Sequence, residues 1–285
     1  MIKALKTNLK KTIASFIRLT SKTRIGSYFI EQTLVTAMNN TRLVRHQSTD
    51  LLFSVPNRLN QFRADSFSTK EPETLEWIDK IPRGAVLWDI GANVGLYSCY
   101  AAKTRDCQVF AFEPSVFNLE LLARNISLNQ LTPKIAIVPL PLCEHLMLST
   151  LNMTSMEWGG ALSTFGKDYG WDGEKIEQVF AFQTLGVTMD GAHQHLGIPI
   201  PSHIKIDVDG IEHLVLKGGA SVLQTVKGLL IEINDSFQEQ ADYCQKILTD
   251  AGLRLSEKRH SEMFGSADSF GGGQVWNQIW TRLES

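Results

Sequence analysis

The chain has 285 residues, of which 43% are hydrophobic, and this is enough to bury one large core. The 28 basic and 30 acidic residues give a formal net charge of −2, which provides no reason to expect a nucleic-acid partner. The four cysteines lie mostly in apolar segments without metal-ligand spacing, as is typical of reduced core residues in a cytoplasmic protein.

The first 45 residues form a distinct N-terminal extension. No acidic residue precedes Glu31, and basic residues alternate with apolar ones that share one helical face. The apolar runs are too short and too interrupted for a secretory signal or a membrane span. Two interpretations stay open. The extension is a helix packed on the main domain with a solvated basic side, which we slightly favour, or a helix lying on the inner face of a membrane.

Residues 46–84 show a mixed pattern, and we expect them to form a cap or part of the substrate side. Residues 51–55 are predicted to form a strand. Pro72 is predicted to occupy the first turn of a helix, and residues 82–84 end that helix. The main domain is predicted to extend from residue 85 to residue 285.

A turn with two glycines follows the first buried strand of this domain, residues 85–90. Gly91 can adopt backbone angles closed to other residues, and Gly95 leaves room for a close approach. The next strand ends at Glu113, where a carboxylate can accept hydrogen bonds from both hydroxyls of a ribose. An ordinary tight turn with a solvated Glu113 is the simpler interpretation, but the combination favours a nucleoside site.

The glycine spacing bears on the kind of cofactor. A dinucleotide-binding turn uses three glycines to hold a pyrophosphate, whereas this turn offers Gly91 and Gly95 preceded by Asp89. An acidic residue beside the turn suits a cationic ammonium group and repels phosphates. S-adenosylmethionine has a ribose, an adenine, an ammonium group and no phosphate, so it fits this pattern.

Helical and strand patterns alternate through the rest of the chain. Such alternation predicts a mainly parallel sheet with helices on both faces. Residues 253–257 and 274–282 are too close in sequence for a crossover helix, so we expect an antiparallel pair at a sheet edge. The intervening predicted elements are helix 118–129, strand 134–139, strand 202–207, strand 227–233 and helix 237–251.

Charged residues end two strands of this predicted sheet. Lys205, Asp207 and Asp209 alternate with apolar residues and would share one face of a strand. A central parallel strand should be apolar on both faces, and ligands bind beyond the carboxyl ends of such strands. The following strand ends in Glu232 and Asn234. These polar ends predict a site, with a solvated edge strand as the alternative.

The chain resembles the FkbM-type methyltransferases over about residues 70–282. The resemblance rests on Asp-Ile-Gly-Ala-Asn-Val-Gly-Leu-Tyr-Ser at 89–98, Phe-Glu-Pro at 112–114 and Lys-Ile-Asp-Val-Asp-Gly-Ile-Glu at 205–212, with Val-Thr-Met-Asp and Ile-Glu-Ile at 187–190 and 231–233. It implies an α/β, Rossmann-like class I methyltransferase fold, with a mainly parallel seven-stranded sheet, an antiparallel edge strand and an N-terminal helical addition. It also implies S-adenosylmethionine as cofactor and methyl transfer to a hydroxyl of a saccharide or other hydroxylated metabolite.

The resemblance also implies roles for individual residues. Asp207 would orient the acceptor hydroxyl, and Lys205 would depress the pKa of Asp207 or stabilise developing negative charge. The family usually has glutamate at the position of Asp209, the third residue of this catalytic set. Tentative substrate residues are Trp158, Ser163, Glu212, Glu232 and Asn234. Apart from the resemblance, the long polar and aromatic segment 145–180 predicts a lid over the acceptor, with a variable surface hairpin as the alternative. Cofactor residues would be Asp89, Gly91, Asn93, Gly95 and Glu113, with Cys143 and Glu144 near the adenine.

Three alternatives remain. Asp207, Asp209, Glu232 and Asn234 carry hard oxygen ligands that suit a divalent metal ion, although carboxylates also line metal-free sites. A nicotinamide-dependent oxidoreductase is disfavoured by the missing third glycine. A non-catalytic protein that retains the fold would tolerate replacement of Asp207.

Overall fold

The computed structural model describes residues 2–260 and 274–282, and it begins with two helices, α1 (Ile2–Thr20) and α2 (Arg24–Met38). From residue 8 to residue 36 every side chain is exposed or half-buried. Among the residues from 8 onward, Met38 is the first that is buried. Within the described ranges, no helix is long and apolar enough to cross a bilayer.

An antiparallel hairpin follows, formed by β1 (Thr41–His46) and β2 (Thr49–Ser54). The second strand includes most of the predicted strand at 51–55. At the free edge of this strand, backbone N–H groups donate to two asparagine side chains rather than to a further strand. The Asn129 Oδ1 atom accepts from Leu52 N at 2.9 Å, and Asn125 Oδ1 accepts from Ser54 N at 2.7 Å.

Three short helices connect this hairpin to the main sheet. They are α3 (Arg58–Asp65), α4 (Phe67–Lys70) and α5 (Pro72–Lys80). The Asn57 side chain caps α3 by accepting from Asn60 N at 2.9 Å. Pro72 occupies the first turn of α5, as predicted.

The main sheet has seven strands and confirms the predicted fold class. Five strands are parallel, and β12 runs antiparallel to both of its neighbours, which confirms the predicted antiparallel pair. The reversed strand lies one place inside the sheet edge. In spatial order the strands are β11 (Leu253–Arg259), β12 (Val275–Arg282), β10 (Gly228–Asn234), β9 (His203–Ile206), β3 (Val86–Ile90), β4 (Gln108–Phe112) and β5 (Ile135–Val138).

Successive side chains of each strand point to opposite faces of the sheet. Both faces carry apolar side chains, and helices cover both. Leu87 packs in one buried apolar cluster with Tyr100 and Leu122, whereas Trp88 packs in a second cluster with Met189 and Leu248. The sheet is therefore buried on both faces. The flanking helices are α6 (Leu96–Arg105), α7 (Val116–Leu128), α8 (Met189–Leu196), α9 (Glu212–Lys217), α10 (Ala220–Leu223) and α11 (Gln238–Asp250).

The segment between β5 and α8 forms a small antiparallel sheet of its own. Its strands are β6 (Met147–Met153), β7 (Ser163–Phe165) and β8 (Phe180–Gly186), in the order β7-β6-β8. Ser163 and Phe165 line a cavity together with Ile90 at the carboxyl end of β3. The small sheet therefore covers the edge of the main sheet where the polar strand ends lie.

Candidate active site

The turn between β3 and α6 has left-handed backbone angles at Gly91, Asn93 and Gly95. A Cβ atom on Gly91 would lie 1.8 Å from the carbonyl oxygen of Asp207, so this turn runs directly against the end of β9. A Cβ atom on Gly95 would lie 2.3 Å from Leu122 Cδ1. Gly91 therefore brings the turn against Asp207, whereas Gly95 makes room for α7.

Glu113 ends β4 beside this turn and is 5% exposed. Its Oε2 atom accepts from Asn93 N at 2.8 Å, and its Oε1 atom accepts from Ser115 N at 2.7 Å. Burial raises the pKa of Glu113 to about 7, and these hydrogen bonds oppose the increase. The carboxylate is thus fixed by backbone N–H groups in a position where it can accept further hydrogen bonds from hydroxyl groups.

Two adjoining cavities lie at the carboxyl ends of the strands. A slot of about 70 Å³ is lined by Glu113 and by apolar residues such as Leu142 and Phe165. A larger cavity of about 340 Å³ is lined by residues of α3, α4, β9 and β10. Gly91, Asn93, Ala161, Asp207 and Asp209 line both cavities. The site therefore has two compartments that meet at Gly91 and Asp207.

A buried row of charges lies beneath the larger cavity. The ammonium group of Lys205, which is 3% exposed, is 3.1 Å from Asp207 Oδ2 and 3.9 Å from Asp89 Oδ1. Burial lowers the pKa of Lys205, but the two carboxylates outweigh burial and raise it. Burial acts to raise the pKa of Asp207, yet Lys205 and then Lys70 hold it below its ordinary value. Asp207 is therefore an ionised carboxylate at the cavity wall.

Asp89 is not at that wall. It is 1% exposed, lines neither cavity and accepts a hydrogen bond from Ser98 Oγ at 2.5 Å. Asp89 and Lys205 are direct partners in the register of β3 and β9. The acid predicted to face a cationic ligand group therefore faces Lys205 and α6 instead.

The opposite wall carries further charged groups from the N-terminal segment and from β10. Glu71 accepts from Tyr97 Oη at 3.0 Å and from Lys70 Nζ at 2.6 Å. Glu232 lines the same cavity, and its pKa is raised well above the ordinary value by burial and then by Asp207 and Glu71. An ionised carboxylate and a carboxyl group that readily holds a proton thus share one cavity.

A loop of residues 158–162 closes one side of the site, and side chains from several segments hold its backbone. Asn57 and Asn60 donate to the carbonyl oxygen of Trp158 at 3.0 and 2.6 Å. The guanidinium group of Arg63 donates twice to Gly159 O, at 3.0 and 2.7 Å. From the side of the slot, Asn93 and Asn118 both donate to the carbonyl oxygen of Gly160.

Asp209 holds the end of the same loop. Its Oδ2 atom accepts from Leu162 N at 2.7 Å, and both residues have left-handed backbone angles, with φ of 59° and 61°. Burial, and then the charge of Asp207, raise the pKa of Asp209 to about 6. Such angles cost about 1–3 kcal/mol each, so the surrounding contacts must maintain them. The geometry gives Asp209 a role in positioning the loop.

The other predicted residues fall into two groups. Ser163 lines the slot, and Asn234 lines the larger cavity, where it donates to Trp171 O. Glu212 also lines that cavity, but its carboxylate accepts hydrogen bonds from the backbone after β9 and from Gln240. Trp158, Cys143 and Glu144 line neither cavity.

No group of three or more His, Cys, Asp or Glu side chains suited to a metal ion occurs in the part of the chain that the structure describes. The alternative metal set instead divides among different contacts. Asp207 contacts Lys205, Asp209 contacts Leu162, and Asn234 contacts Trp171.

Sequence reasoning missed several residues at the site, namely Arg63, Lys70, Glu71, Tyr97 and Asn118. Tyr97 and Asn118 lie in α6 and α7, and helical period alone does not distinguish a residue at the mouth of a site from a core residue. The other three lie in the short helices α3 and α4 and in the residue that follows them. Their one sequence signal is a cluster of charges in an otherwise weakly patterned segment.

The open sheet with one reversed strand, the glycine turn after its first strand and the fixed carboxylate after its second define a Rossmann-like methyltransferase fold. Residues 89–256 match the model of the methyltransferase FkbM domain. The chain belongs to this family, as its motifs predicted.

The individual proteins that the chain resembles are distant from it in sequence. The hexuronic acid methyltransferase AglP of Haloferax volcanii is 29% identical over 168 residues, covering 59% of this chain and 63% of AglP. The match thus spans less than two thirds of that relative. TYW2 of M. jannaschii, solved in complex with AdoMet, is 12% identical with a TM-score of 0.44 over 85% of this chain and 87% of the other. Precorrin-6y C5,15-methyltransferase from Geobacter metallireducens is 13% identical, with a TM-score of 0.41 over 75% and 87%.

Proposed function

We propose that the protein is an S-adenosylmethionine-dependent O-methyltransferase that acts on a hydroxyl group of a saccharide or another hydroxylated metabolite. One observation carries the proposal. The slot that holds Glu113 opens at Gly91 into a cavity walled by Asp207 and Glu232. Membership in the FkbM family supports methyl transfer, and the name of the relative AglP supports a saccharide acceptor.

The residues of the slot suit this cofactor. Glu113 would hold the ribose hydroxyls, and apolar residues such as Phe165 and Ile211 would contact the adenine. The charged residues that line the slot are Glu113, Asp207 and Asp209, and no Lys, Arg or His is among its described lining residues. Such a lining favours a cofactor with a cationic end and disfavours one with phosphates.

When bound, S-adenosylmethionine would supply an electrophilic methyl group. Asp207, which Lys205 keeps ionised and fixed, would accept a hydrogen bond from a second hydroxyl of the acceptor and thereby orient the reacting oxygen. Glu232 would take the hydroxyl proton, because its carboxyl group lines the same cavity and its raised pKa suits a general base. Lys70 would limit the repulsion between these two carboxylates, because its charge lowers the pKa of both.

The proposal is tested by binding and transfer measurements on the full chain. We expect radiolabelled S-adenosylmethionine to bind and NAD not to bind, and we expect label to appear on surface-glycan fragments or small polyols. Tight binding of NAD alone would contradict the proposed cofactor. Transfer of label to nucleic acid, with none to hydroxylated small molecules, would contradict the proposed acceptor class.

Glu113→Gln is expected to weaken cofactor binding by at least about tenfold, because a ribose would lose a charged acceptor worth about 1.5–3 kcal/mol. In the unchanged protein, affinity should increase as pH rises through about 7, since the carboxyl group must lose its proton to accept both hydroxyls. Calorimetric titration at several pH values measures both effects. Equal affinities for the two proteins, after a check that both are folded, would refute this role of Glu113.

Glu232 is expected to set the pH dependence of turnover. Because the pKa of this carboxyl group is raised, kcat should increase with pH as the group ionises and becomes able to accept a proton. Glu232→Gln should lower kcat and remove that increase while leaving cofactor affinity unchanged. The pH profile of kcat for both proteins measures this, and an unchanged slope in the variant would count against Glu232 as the base.

Turnover is expected to be independent of divalent metal ions, since Asp207 contacts Lys205 and Asp209 contacts the 158–162 loop. Activity measured before and after thorough chelation checks this expectation. A loss of activity that added magnesium restores would support the alternative of metal assistance.

A further inference from the structure

Helices α1 and α2 expose an apolar surface that no described part of the chain covers. In α1, Leu9, Ile13, Phe16 and Ile17 follow the spacing of one helical face, and all are exposed. In α2, Ile25, Tyr28 and Phe29 are also exposed, with Ile25 at 84%. Isolated apolar residues on a surface are ordinary, but a run of this extent on adjoining helices marks an interaction site.

Basic residues surround the bend between the two helices. Arg18, Lys22 and Arg24 lie there and are exposed, next to Phe16 and the exposed Leu19. Of the 28 Lys and Arg residues of the chain, 7 lie in the first 30 positions, whereas all 30 Asp and Glu residues come later. The protein therefore has a cationic, apolar end and an acidic main body.

The charge distribution selects the partner. Two copies of this surface would bring like charges together, which opposes self-association through it. An anionic bilayer attracts the basic residues and accepts the apolar and aromatic side chains at its interface, while it repels the acidic main body. The polar residues that interrupt both helices suit helices that lie in the interface of the bilayer rather than helices that cross the bilayer.

We propose that α1 and α2 form a docking surface for anionic lipid bilayers, with the bend at residues 21–23 inserted at the headgroup level. The docked helices hold the protein at the membrane by its N-terminal end and leave the acidic methyltransferase body in the aqueous phase.

Flotation of the full chain with phosphatidylcholine vesicles, with and without phosphatidylglycerol, tests the proposal. We expect binding only to vesicles that contain phosphatidylglycerol, and reduced binding at high salt. Arg18→Gln combined with Lys22→Gln and Arg24→Gln should lower the bound fraction at least about tenfold, since each basic residue contributes about 1 kcal/mol. The matched control replaces Lys103, Lys217 and Arg254, three exposed basic residues of the main body, with glutamine and should bind normally.

A second variant tests the apolar contribution. Phe16→Ser combined with Ile25→Ser and Phe29→Ser should also lose vesicle binding, while methyl transfer in solution stays unchanged because these residues are remote from both cavities. Equal binding to vesicles with and without phosphatidylglycerol, or equal loss in the control, would overturn the proposal. So would a dimer in sedimentation velocity that the serine variant dissociates, combined with no vesicle binding, because that result assigns the surface to a second copy of the chain.

Discussion

Asp207→Asn is expected to lower kcat by about 10²–10⁴-fold, the range typical for loss of a positioned acid–base group. Asparagine keeps the size of the side chain but removes the charge that would orient the acceptor hydroxyl. Lys205 retains Asp89 as a partner in the variant, so the buried ammonium group is not left without a counter-charge. Affinity for S-adenosylmethionine should change by less than about tenfold, because Glu113 and the slot are untouched.

The matched control is Asp235→Asn. Asp235 follows β10 and pairs with Lys258 away from both cavities, so its replacement should leave kcat unchanged. Steady-state rates with a saturating acceptor, together with cofactor titrations, separate the two variants. If Asp207→Asn keeps more than a tenth of the activity, another residue must orient the acceptor.

Gly91→Ala is expected to cost more than about 4 kcal/mol of unfolding free energy. The residue has φ of 82°, which an alanine side chain disfavours, and its new Cβ atom would meet the Asp207 carbonyl oxygen at 1.8 Å. Because the Cβ atom is attached directly to the backbone and meets a backbone oxygen, relief requires β3 and β9 to separate at their carboxyl ends. Urea denaturation followed by circular dichroism measures the loss.

Gly84→Ala separates the two causes. Gly84 also has a left-handed φ, 75°, but nothing lies within 4 Å of the position of its Cβ atom. Its replacement should therefore cost only about 1–2 kcal/mol, the backbone contribution alone. Similar losses in the two variants would show that the close approach of Gly91 to Asp207 is unimportant for stability.

The sequence predicted the sheet well because its signals are local. Apolar runs bounded by glycine or charge coincide with β3, β4, β9 and β10, and the short connection before β12 required an antiparallel pair. The predicted role of Asp89 depended on a non-local fact. Its side chain faces a lysine on a strand more than one hundred residues away, which only the register of β3 and β9 reveals.

The walls of the larger cavity were unpredictable for a related reason. Arg63 and Glu71 lie in a segment of short helices without a clear apolar period, so no pattern placed it over the sheet edge. Its position depends on side chains such as Asn57 and Asn60 that bind the backbone of Trp158, about one hundred residues later. Single-sequence patterns carry no record of such pairs.

The side chains that hold the backbone of the 158–162 loop bear on how the sequence of this protein can diverge. Asn57, Asn60 and Arg63 precede residue 89, where the match to the family domain begins, and so does Glu71 in the cavity wall. In the proposed function, the shared domain would supply Asp207, Glu232 and the cofactor slot, while a separate stretch of chain would shape the entrance for the acceptor. Mutations in that stretch would then alter which acceptor enters without touching the groups proposed to perform the chemistry.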